Sequence, residues 1–364
     1  MDAAALKADL RDEGHRLGFV ACGVTSARPF TEARARALAA IEAGRMDGMA
    51  WYTRERAEGA ADIGGRYPWA RSIVALAWPY RPARAPGPEE ERDPVDETSI
   101  RGRFAAYACI PDVNRAVDYH DLLARRCDAL VDWLRGRVEG LRAKRFVDHG
   151  WAFDRAIAER AGIGFAGKHS SIITTAAGSY VMLAGIAVSV ALPVDAPSRR
   201  GCGHCRACIP ACPTGAIVAP GVIDATRCIS YLTIEHRGAI APELRPLMGT
   251  WAFGCDLCQE ACPINHRLAP APLDAGAAST ERGPVPYPGL VECLQLTEVA
   301  FAARFRGTAV WRTGRSGLAR NCAIALGNAG NPAALPALRE SAANDPDPVV
   351  REAAAWGIAR LADR

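Results

Sequence analysis

Two cysteine-rich blocks decide how this chain can fold: GCGHCRACIPACP at residues 201–213 and FGCDLCQEACP at residues 253–263. The first has the spacing C-x2-C-x2-C-x3-C-P, and the second repeats the x2 and x3 spacings before its own proline. With one cysteine between the blocks, the region holds eight of the thirteen cysteines: Cys202, Cys205, Cys208, Cys212, Cys228, Cys255, Cys258 and Cys262. Eight thiolates are the ligands that two 4Fe–4S clusters need.

The last cysteine of each block is predicted to bind the cluster of the other block, as in bacterial two-cluster ferredoxins with this spacing. One cluster would take Cys202, Cys205, Cys208 and Cys262, and the other Cys212, Cys228, Cys255 and Cys258. Zinc sites favour separate four-ligand groups, often with histidine, and need no proline after the last cysteine. Disulfides are typical of small scaffolds in oxidising compartments. We therefore predict a ferredoxin-like domain with two clusters at residues 196–270.

The composition indicates a globular chain of two or three domains. Its 364 residues are 49% hydrophobic, which is enough for a substantial core. Residues 1–20 lack the apolar run of an export signal, and the longest apolar segment, residues 179–194, resembles buried strand more than a membrane span. We therefore expect a cytoplasmic protein with no membrane contact. The net charge of +4 does not by itself identify a nucleic-acid partner.

Residues 1–195 show the alternation of strands and helices that is typical of an α/β (α+β) domain. Residues 72–78 form an apolar run of the kind found in strands buried on both faces. Another strand is predicted at residues 144–148. Residues 171–175 and 180–192 are predicted to pair with each other as a hairpin around Gly178.

The end of the chain is predicted to be a helical tail. Residues 271–290 are rich in proline and glycine, which indicates a linker. Residues 291–364 are rich in alanine and leucine, and residues 321–326 resemble residues 352–358, as expected for HEAT-like repeats. Two repeats are too few to fold alone, so the tail is expected to pack on the rest of the protein.

Six further segments carry a resemblance to a known family. They are GRMDGMAWYTR (44–54), PWARSIVALAWPY (68–80), DYH (118–120), FVDHGWAFDRAIAERAGIGFAGK (146–168), RCISYLTIEHRG (227–238) and FGCDLCQEACPIN (253–265). Together they resemble the epoxyqueuosine reductases, cytosolic cobalamin-dependent enzymes that complete queuosine in tRNA. The resemblance extends over nearly the whole chain, including the helical tail.

This resemblance implies that residues 1–195 bind cobalamin and that the two clusters reduce it. The reaction implied is reduction of epoxyqueuosine to queuosine in tRNA, with an external electron donor that the sequence does not identify, by an enzyme that works as a monomer. No D-x-H-x-x-G segment occurs, so no such motif supplies a histidine to the lower face of cobalt. A cobalt without that donor is easier to reduce, which suits low-potential iron–sulfur clusters.

The resemblance also implies a general acid, Asp148, within the V-D-x-G motif at residues 147–150. Opening an epoxide leaves an alkoxide that needs a proton, and a carboxyl group stays protonated near neutral pH only if burial raises its pKa. Read from local sequence alone, Asp148 is equally suited to cap the following helix. His149, where the family usually has threonine, is a second candidate for proton transfer or substrate contact.

Six residues are implied as cofactor-binding by the same resemblance: Tyr119, Lys168, His169, Ser230, Gly254 and Asp256. For some of them a structural role is equally compatible with the sequence, since Ser230 could hydrogen-bond cluster sulfur and residues 118–120 could begin a helix. The sequence departs from the family pattern at four positions, which puts individual corrin contacts in question: Ala60, His149, His169 and Gly185.

The tRNA contacts are predicted among arginines near the tail and the second cysteine block: Arg237, Arg312, Arg315 and Arg320, with Arg351, Asn321 and Asn328 as further candidates. Contacts of this kind to phosphates are salt-dependent and largely sequence-blind. A charged face that only keeps a repeat soluble would have the same composition.

Two other functions fit part of the pattern. Reductive dehalogenases share the corrinoid and the paired clusters, but they commonly carry a twin-arginine signal and lack the helical tail. An electron-transfer ferredoxin would need the clusters alone, without the 195-residue domain and its V-D-x-G segment.

Overall fold

The computed structural model describes residues 2–80, 100–112, 115–148, 150–268 and 284–363. Residues 81–99 lie outside the described residues, and so do His149 and much of the predicted linker. No helix in the described ranges has the length and apolar character that crossing a membrane requires.

The N-terminal part is built around a four-stranded sheet. Its helices are α1 (Ala3–Arg16), α2 (Thr31–Glu42), α3 (Arg54–Ala61), α4 (Ile63–Arg66), α5 (Tyr119–Arg135) and α6 (Asp154–Arg160). Its strands are β1 (Ala21–Ser26), β2 (Ser72–Pro79), β3 (Arg103–Phe104), β4 (Pro111–Asp112), β5 (Arg115–Ala116), β6 (Ala143–Phe146), β7 (Phe165–Ala166), β8 (Ile172–Ile173) and β9 (Val181–Val188). The sheet has the order β1-β2-β9-β6, and helices α1 and α5 pack on one face while α6 covers the other.

All three strand pairings of this sheet are antiparallel, so the domain is of the α+β kind. Strand β2 lies inside the sheet, and its first six residues are buried, as the apolar run predicts. The predicted hairpin around Gly178 is wrong. Strand β9 pairs with β2 and β6, β8 pairs with β7, and only the bridge between Thr174 and Gly178 remains near the turn. Being apolar on both faces, β9 is better stabilised between two partner strands than at an edge.

The cysteine-rich part contains only short helices and strands. They are β10 (Ile217–Ala219), β11 (Val222–Ile223), α7 (Ile229–Ile234), β12 (Trp251–Phe253), α8 (Leu257–Glu260) and α9 (Pro263–His266). Strand β12 pairs in parallel with β3, which ties this part to the N-terminal part. Across the same junction Tyr80 and Ser179 hydrogen-bond the buried Gln259.

The tail consists of α10 (Leu290–Leu294), α11 (Glu298–Phe305), α12 (Gly314–Ala329), α13 (Leu335–Asn344) and α14 (Pro348–Ala362). One hydrophobic core contains side chains from β12, α12 and α14, among them Phe253, Leu318 and Val350. The expectation that the tail packs on the rest of the protein is therefore confirmed. Before α10, the backbone carbonyls of Pro286 and Pro288 accept hydrogen bonds from Phe104 and Gly102.

Candidate active site and cluster centres

The cysteines of the first predicted cluster lie near one another. Burial raises the pKa of the Cys208 thiol, and three neighbouring sulfur atoms raise it further. Those three belong to Cys202, Cys205 and Cys262. Cys262 belongs to the second block, whereas Cys202 and Cys205 belong to the first. The crossed ligand assignment therefore groups cysteines whose sulfur atoms interact electrostatically in this structure.

The second predicted set is gathered in the same way. Burial raises the pKa of Cys258 to about 12, with further contributions from Cys228 and Cys212. The pKa of Cys255 is raised by burial and by the neighbouring Cys228 and Cys258. In the described residues no three His, Cys, Asp or Glu side chains surround a point closely enough to hold a single metal ion. Thiols with raised pKa values must lose protons when they bind iron, so cluster assembly is expected to release protons.

Asp148 lies just after β6, at an exposed position. Its φ of 50° places a non-glycine residue in the left-handed region, which aspartate tolerates better than most residues. The Tyr119 hydroxyl donates a hydrogen bond to Asp148 Oδ2, and His120 Nε2 lies 3.9 Å from the same oxygen. The side chain is 63% exposed. The protein alone therefore does not supply the burial that the sequence analysis expects around this carboxyl group.

Asp118 supports this corner of the site from the beginning of α5. Its Oδ1 caps the helix by accepting a 3.0 Å hydrogen bond from the His120 backbone N–H and lies 2.7 Å from His120 Nδ1. Arg312 Nη2 donates to both Asp118 oxygens, at 3.0 and 2.8 Å. Although burial opposes ionisation, the hydrogen bond from His120 and the charge of Arg312 lower the pKa of Asp118 to about 2. Asp118 is therefore ionised at neutral pH.

A second carboxyl group, Asp154, lies behind Asp148 at the first residue of α6. Its Oδ1 is buried and has no hydrogen-bond partner among the described residues, while the Asp148 backbone N–H donates to the carboxyl group. Burial raises the pKa of Asp154 to about 8, and the nearby charge of Asp148 adds to the effect. Asp154 is therefore largely protonated at neutral pH, and the sequence analysis did not select it.

Lys168 and His169 lie beside the first cysteine block. Lys168 Nζ donates to the backbone carbonyls of Gly203 and Cys205 at 2.7 and 2.8 Å, so it braces the loop between two predicted ligands. His169 is 4% exposed, and burial lowers its pKa to about 4. Its Nδ1 accepts from the Ser171 N–H at 3.2 Å, which places the proton of the neutral ring on Nε2. That buried Nε2 has no partner within the described chain.

The other three predicted cofactor residues surround Cys228 and Cys255. The Ser230 backbone N–H hydrogen-bonds the Cys228 sulfur, so the structural alternative is realised through the main chain. Gly254 has a φ of +66°, and a Cβ there would lie 2.5 Å from that of Ala105. Asp256 is 5% exposed, with Oδ2 accepting from the Ala106 N–H at 2.7 Å and Oδ1 from Gln259 at 2.9 Å. This geometry assigns Asp256 to the domain junction and speaks against a cofactor contact.

The comparisons with known proteins decide the family. Three family models match: "Epoxyqueuosine reductase QueG, DUF1730" at residues 61–149, "4Fe-4S double cluster binding domain" at 201–265 and "HEAT repeats" at 309–363. The chain is 35% identical to epoxyqueuosine reductase of Escherichia coli, covering 100% of this chain and 92% of the relative. The Bacillus subtilis enzyme is 34% identical, with 100% and 89% coverage. The chain belongs to the epoxyqueuosine reductase family.

Solved structures agree with this assignment. A structure of Bacillus subtilis epoxyqueuosine reductase with its catalytic aspartate loop swung out of the active site has a TM-score of 0.85, with 33% identity, 99% coverage of this chain and 91% of the other. An epoxyqueuosine reductase bound to an epoxyqueuosine-modified tRNA-Tyr stem loop has a TM-score of 0.86, with 34% identity and the same coverage. The predicted family and the double-cluster domain are therefore confirmed.

Two of the tRNA contacts predicted for this epoxyqueuosine reductase family member are contradicted, because their side chains are buried. Arg320 is 2% exposed and donates to the carbonyls of Leu232, His236 and Gly238. Arg315 is 9% exposed and pairs with Asp345. Neither guanidinium can reach a phosphate here.

The remaining tRNA candidates divide by exposure. Asn321 is fully buried, Asn328 donates to two backbone carbonyls, and Arg351 donates to the carbonyls of Asp345 and Pro346. Arg237 also donates to two backbone carbonyls, those of Ile234 and Arg312, but its side chain is exposed, so its tRNA contact stays a prediction. Arg312 is half-buried and contacts Asp118. Most of the polar residues chosen in the tail therefore serve its internal packing and docking.

Two of the departures from the family pattern are buried positions. Ala60 is 3% exposed in α3, and Gly185 lies inside the sheet, where a Cβ would come 3.6 Å from the Ile157 side chain. Neither offers a side chain to a cofactor.

Arg155 is a site residue that the sequence analysis missed, although it lies inside a quoted motif. Its exposed side chain donates to Ser170 Oγ at 2.8 Å. Its charge acts on Asp154, His169 and Cys228, which come from three separate elements. Arg155 therefore lies near the loop of Asp148 and Asp154, the turn at residues 168–169 and the predicted cluster ligand Cys228. The two described cavities, of about 380 and 350 Å³, are lined by other residues.

Proposed function

We propose that this chain reduces epoxyqueuosine to queuosine in tRNA, the last step of queuosine formation. The observation that carries the proposal is the exposed Asp148, held by the Tyr119 hydroxyl in a chain that also gathers two four-cysteine sets. The family relationship supports it over the full length, and one relative is bound to an epoxyqueuosine-modified stem loop.

The cofactor of this proposal is cobalamin, between the Asp148 loop and the second cysteine set. When bound and reduced, it supplies a nucleophilic cobalt for attack on the epoxide. Its ring is edged by amide side chains, so the buried His169 Nε2–H, which has no partner among the residues that the structure describes, fits an amide oxygen. Lys168, Ser230 and Gly254 would shape the loops around it, and Arg155 would contact its polar edge.

Asp148 would deliver the proton that epoxide opening requires. In the free protein this carboxyl is exposed, so the apolar surroundings that keep it protonated would come from the bound cofactor and substrate. Its left-handed backbone and loop position are compatible with movement, and one relative has its catalytic aspartate loop swung out. Tyr119 would hold the carboxylate form between turnovers, because its hydroxyl donates to Oδ2.

The remaining partners follow from the chemistry. Reduction needs two electrons per epoxide, so the clusters would pass them singly from an external donor. Arg237, exposed beside the tail, is proposed to contact tRNA phosphate, with the modified nucleotide splayed toward Asp148. We further propose a cytoplasmic monomer.

The test is conversion of epoxyqueuosine in a tRNA stem loop by protein reconstituted with iron, sulfide and cobalamin without oxygen. We expect Asp148→Asn to lower the single-turnover rate by about 10²- to 10⁴-fold, the range of general acid catalysis. Asp128→Asn is the matched control, because Asp128 is an exposed aspartate whose carboxylate pairs with Arg145 on the surface. Normal turnover by Asp148→Asn would disprove the acid role. Iron–sulfur absorption without corrin uptake would favour the electron-transfer alternative.

A further inference from the structure

Arg312 joins the helical tail to the beginning of α5. It lies in the 3-10 turn Ala309–Thr313, where the match to HEAT repeats begins. Its Nη2 lies 2.8 and 3.0 Å from the two Asp118 oxygens and 2.6 Å from His120 Nδ1. A single guanidinium nitrogen thus lies within contact distance of both residues, and it donates to the Asp118 carboxylate.

The tail backbone around Arg312 is itself anchored. The Arg312 carbonyl accepts a 2.7 Å hydrogen bond from Arg237, and the Thr313 hydroxyl donates to the Thr233 carbonyl at 2.9 Å. The Asp118 backbone N–H donates to the Gly307 carbonyl at 2.8 Å. Main-chain and side-chain contacts therefore hold the tail and α5 in one arrangement.

From Arg312 the contacts continue to Asp148. The guanidinium lies over the Tyr119 ring, 5.3 Å from its centroid, and the His120 ring stacks on Tyr119 at 4.1 Å. Tyr119 then donates its hydroxyl to Asp148. The guanidinium above the ring and the stacked His120 ring therefore fix the Tyr119 ring. They also fix the position of its hydroxyl group.

We propose that Arg312 is a positioning residue for the catalytic acid Asp148, acting through Asp118, His120 and Tyr119, and that its guanidinium does not bind tRNA phosphate. The inference rests on the proposed acid role of Asp148.

The charge of Arg312 is essential to this role. Asp118 is ionised and 18% exposed, so without Arg312 a largely buried carboxylate would lose its cationic partner. The unpaired Asp118 carboxylate would then compete for the hydrogen bonds of the His120 side chain, and Tyr119 would lose its orientation. A misplacement of about 1 Å at a reacting group can cost about 100-fold in rate.

The test compares Arg312→Gln with wild type at saturating tRNA stem loop. We expect the single-turnover rate to fall about 10- to 100-fold while KM changes less than about twofold. The dependence of KM on salt should keep its wild-type slope, because no phosphate contact is lost. Arg306→Gln is the matched control, since Arg306 is an exposed arginine of the same segment that lies over Trp311.

Two further variants separate positioning from general damage. Arg312→Lys should recover most of the rate, because only one nitrogen makes the contacts. Asp118→Asn should speed the Arg312→Gln variant about threefold or more, because it removes the unpaired carboxylate and asparagine still caps α5. Iron content and melting temperature are measured for each variant. If Arg312→Gln does not fold, Arg312→Met carries the test, because it keeps an apolar stem beside Tyr119, removes the charge and should show the same loss of rate.

An unchanged rate with a raised KM and a salt slope reduced by about one would identify Arg312 as a phosphate ligand and overturn the inference. Failure of Asp118→Asn to improve Arg312→Gln would overturn it as well. Because Asp148→Asn is assayed in parallel, a normal rate in that variant would refute the acid role, whereas its loss beside a normal Arg312→Gln would refute only the positioning role.

Discussion

At the scale of single residues, the two carboxyl groups Asp148 and Asp154 differ because their surroundings differ. Asp148 is exposed, whereas Asp154 has a buried oxygen with no partner in the described part of the chain, and burial and then Asp148 raise its pKa to about 8. Among the described residues, Arg155 on the same helix and Cys127 on α5 also interact electrostatically with Asp154. A carboxyl group that stays neutral adds no second negative charge beside the proposed acid Asp148.

This difference predicts how stability depends on pH. A carboxyl pKa raised on folding means that the native state binds the proton more tightly, so stability falls as pH rises from about 4 to about 8. Asp154→Asn should remove that loss. Between pH 5 and pH 8.5 the free energy of unfolding of wild type should fall by a few kcal/mol more than that of Asp154→Asn, since each unit of pKa shift is worth about 1.4 kcal/mol.

The measurement is thermal unfolding of both proteins at several pH values between 5 and 8.5. Asp128→Asn, at an exposed position, should change stability equally at every pH. Parallel curves for wild type and Asp154→Asn would show that Asp154 does not hold a proton through this range.

Residue chemistry was predictable where it depends on neighbours in the chain, and less so elsewhere. The cysteine spacing could be interpreted directly, because a cluster imposes short intervals between its ligands. The buried state of Arg320 could not, because its acceptor carbonyls at Leu232 and His236 lie more than 80 residues earlier. An arginine in a helical tail looks the same in sequence whether it meets phosphate or protein.

At the scale of elements, α12 holds the tail against the cysteine-rich part. Asn321 is fully buried on this helix, and its Nδ2 donates to the carbonyls of Thr233 at 2.8 Å and Ala252 at 2.9 Å. Its Oδ1 accepts from Arg320. One side chain therefore joins α12 to both α7 and β12.

The hairpin predicted around Gly178 was wrong for a related reason. The strands that pair with β9 are distant from it in the chain, so local sequence does not reveal them.

Asn321→Ala is predicted to destabilise the protein by about 2–4 kcal/mol, because it leaves two carbonyls and part of a guanidinium unsatisfied in the interior. Asn344→Ala, on the exposed end of α13, should cost under about 0.5 kcal/mol. Thermal unfolding measures both. Equal melting temperatures for the two variants would mean that the docking of α12 does not depend on this amide.

At the scale of the whole molecule, the crossed cluster assignment ties together two blocks about fifty residues apart in sequence. Cys262 interacts electrostatically with Cys208, and Cys258 interacts more strongly with Cys228 and Cys212 than with Cys208. Each cluster would then need both blocks in their native arrangement, so the α8–α9 corner, the Gln259 junction and the cysteine loops would assemble together. An uncrossed assignment would let each block bind its cluster alone.

Paired serine variants distinguish the two arrangements by iron content after anaerobic reconstitution. If the assignment is crossed, Cys202→Ser with Cys262→Ser removes ligands of one cluster, so about four irons per chain should remain of about eight. Cys255→Ser with Cys262→Ser then damages both clusters and should leave almost none. An uncrossed arrangement predicts the reverse, with almost no iron in the first pair and about four irons in the second. Since both variants lose two thiols, the comparison isolates which cluster each cysteine serves.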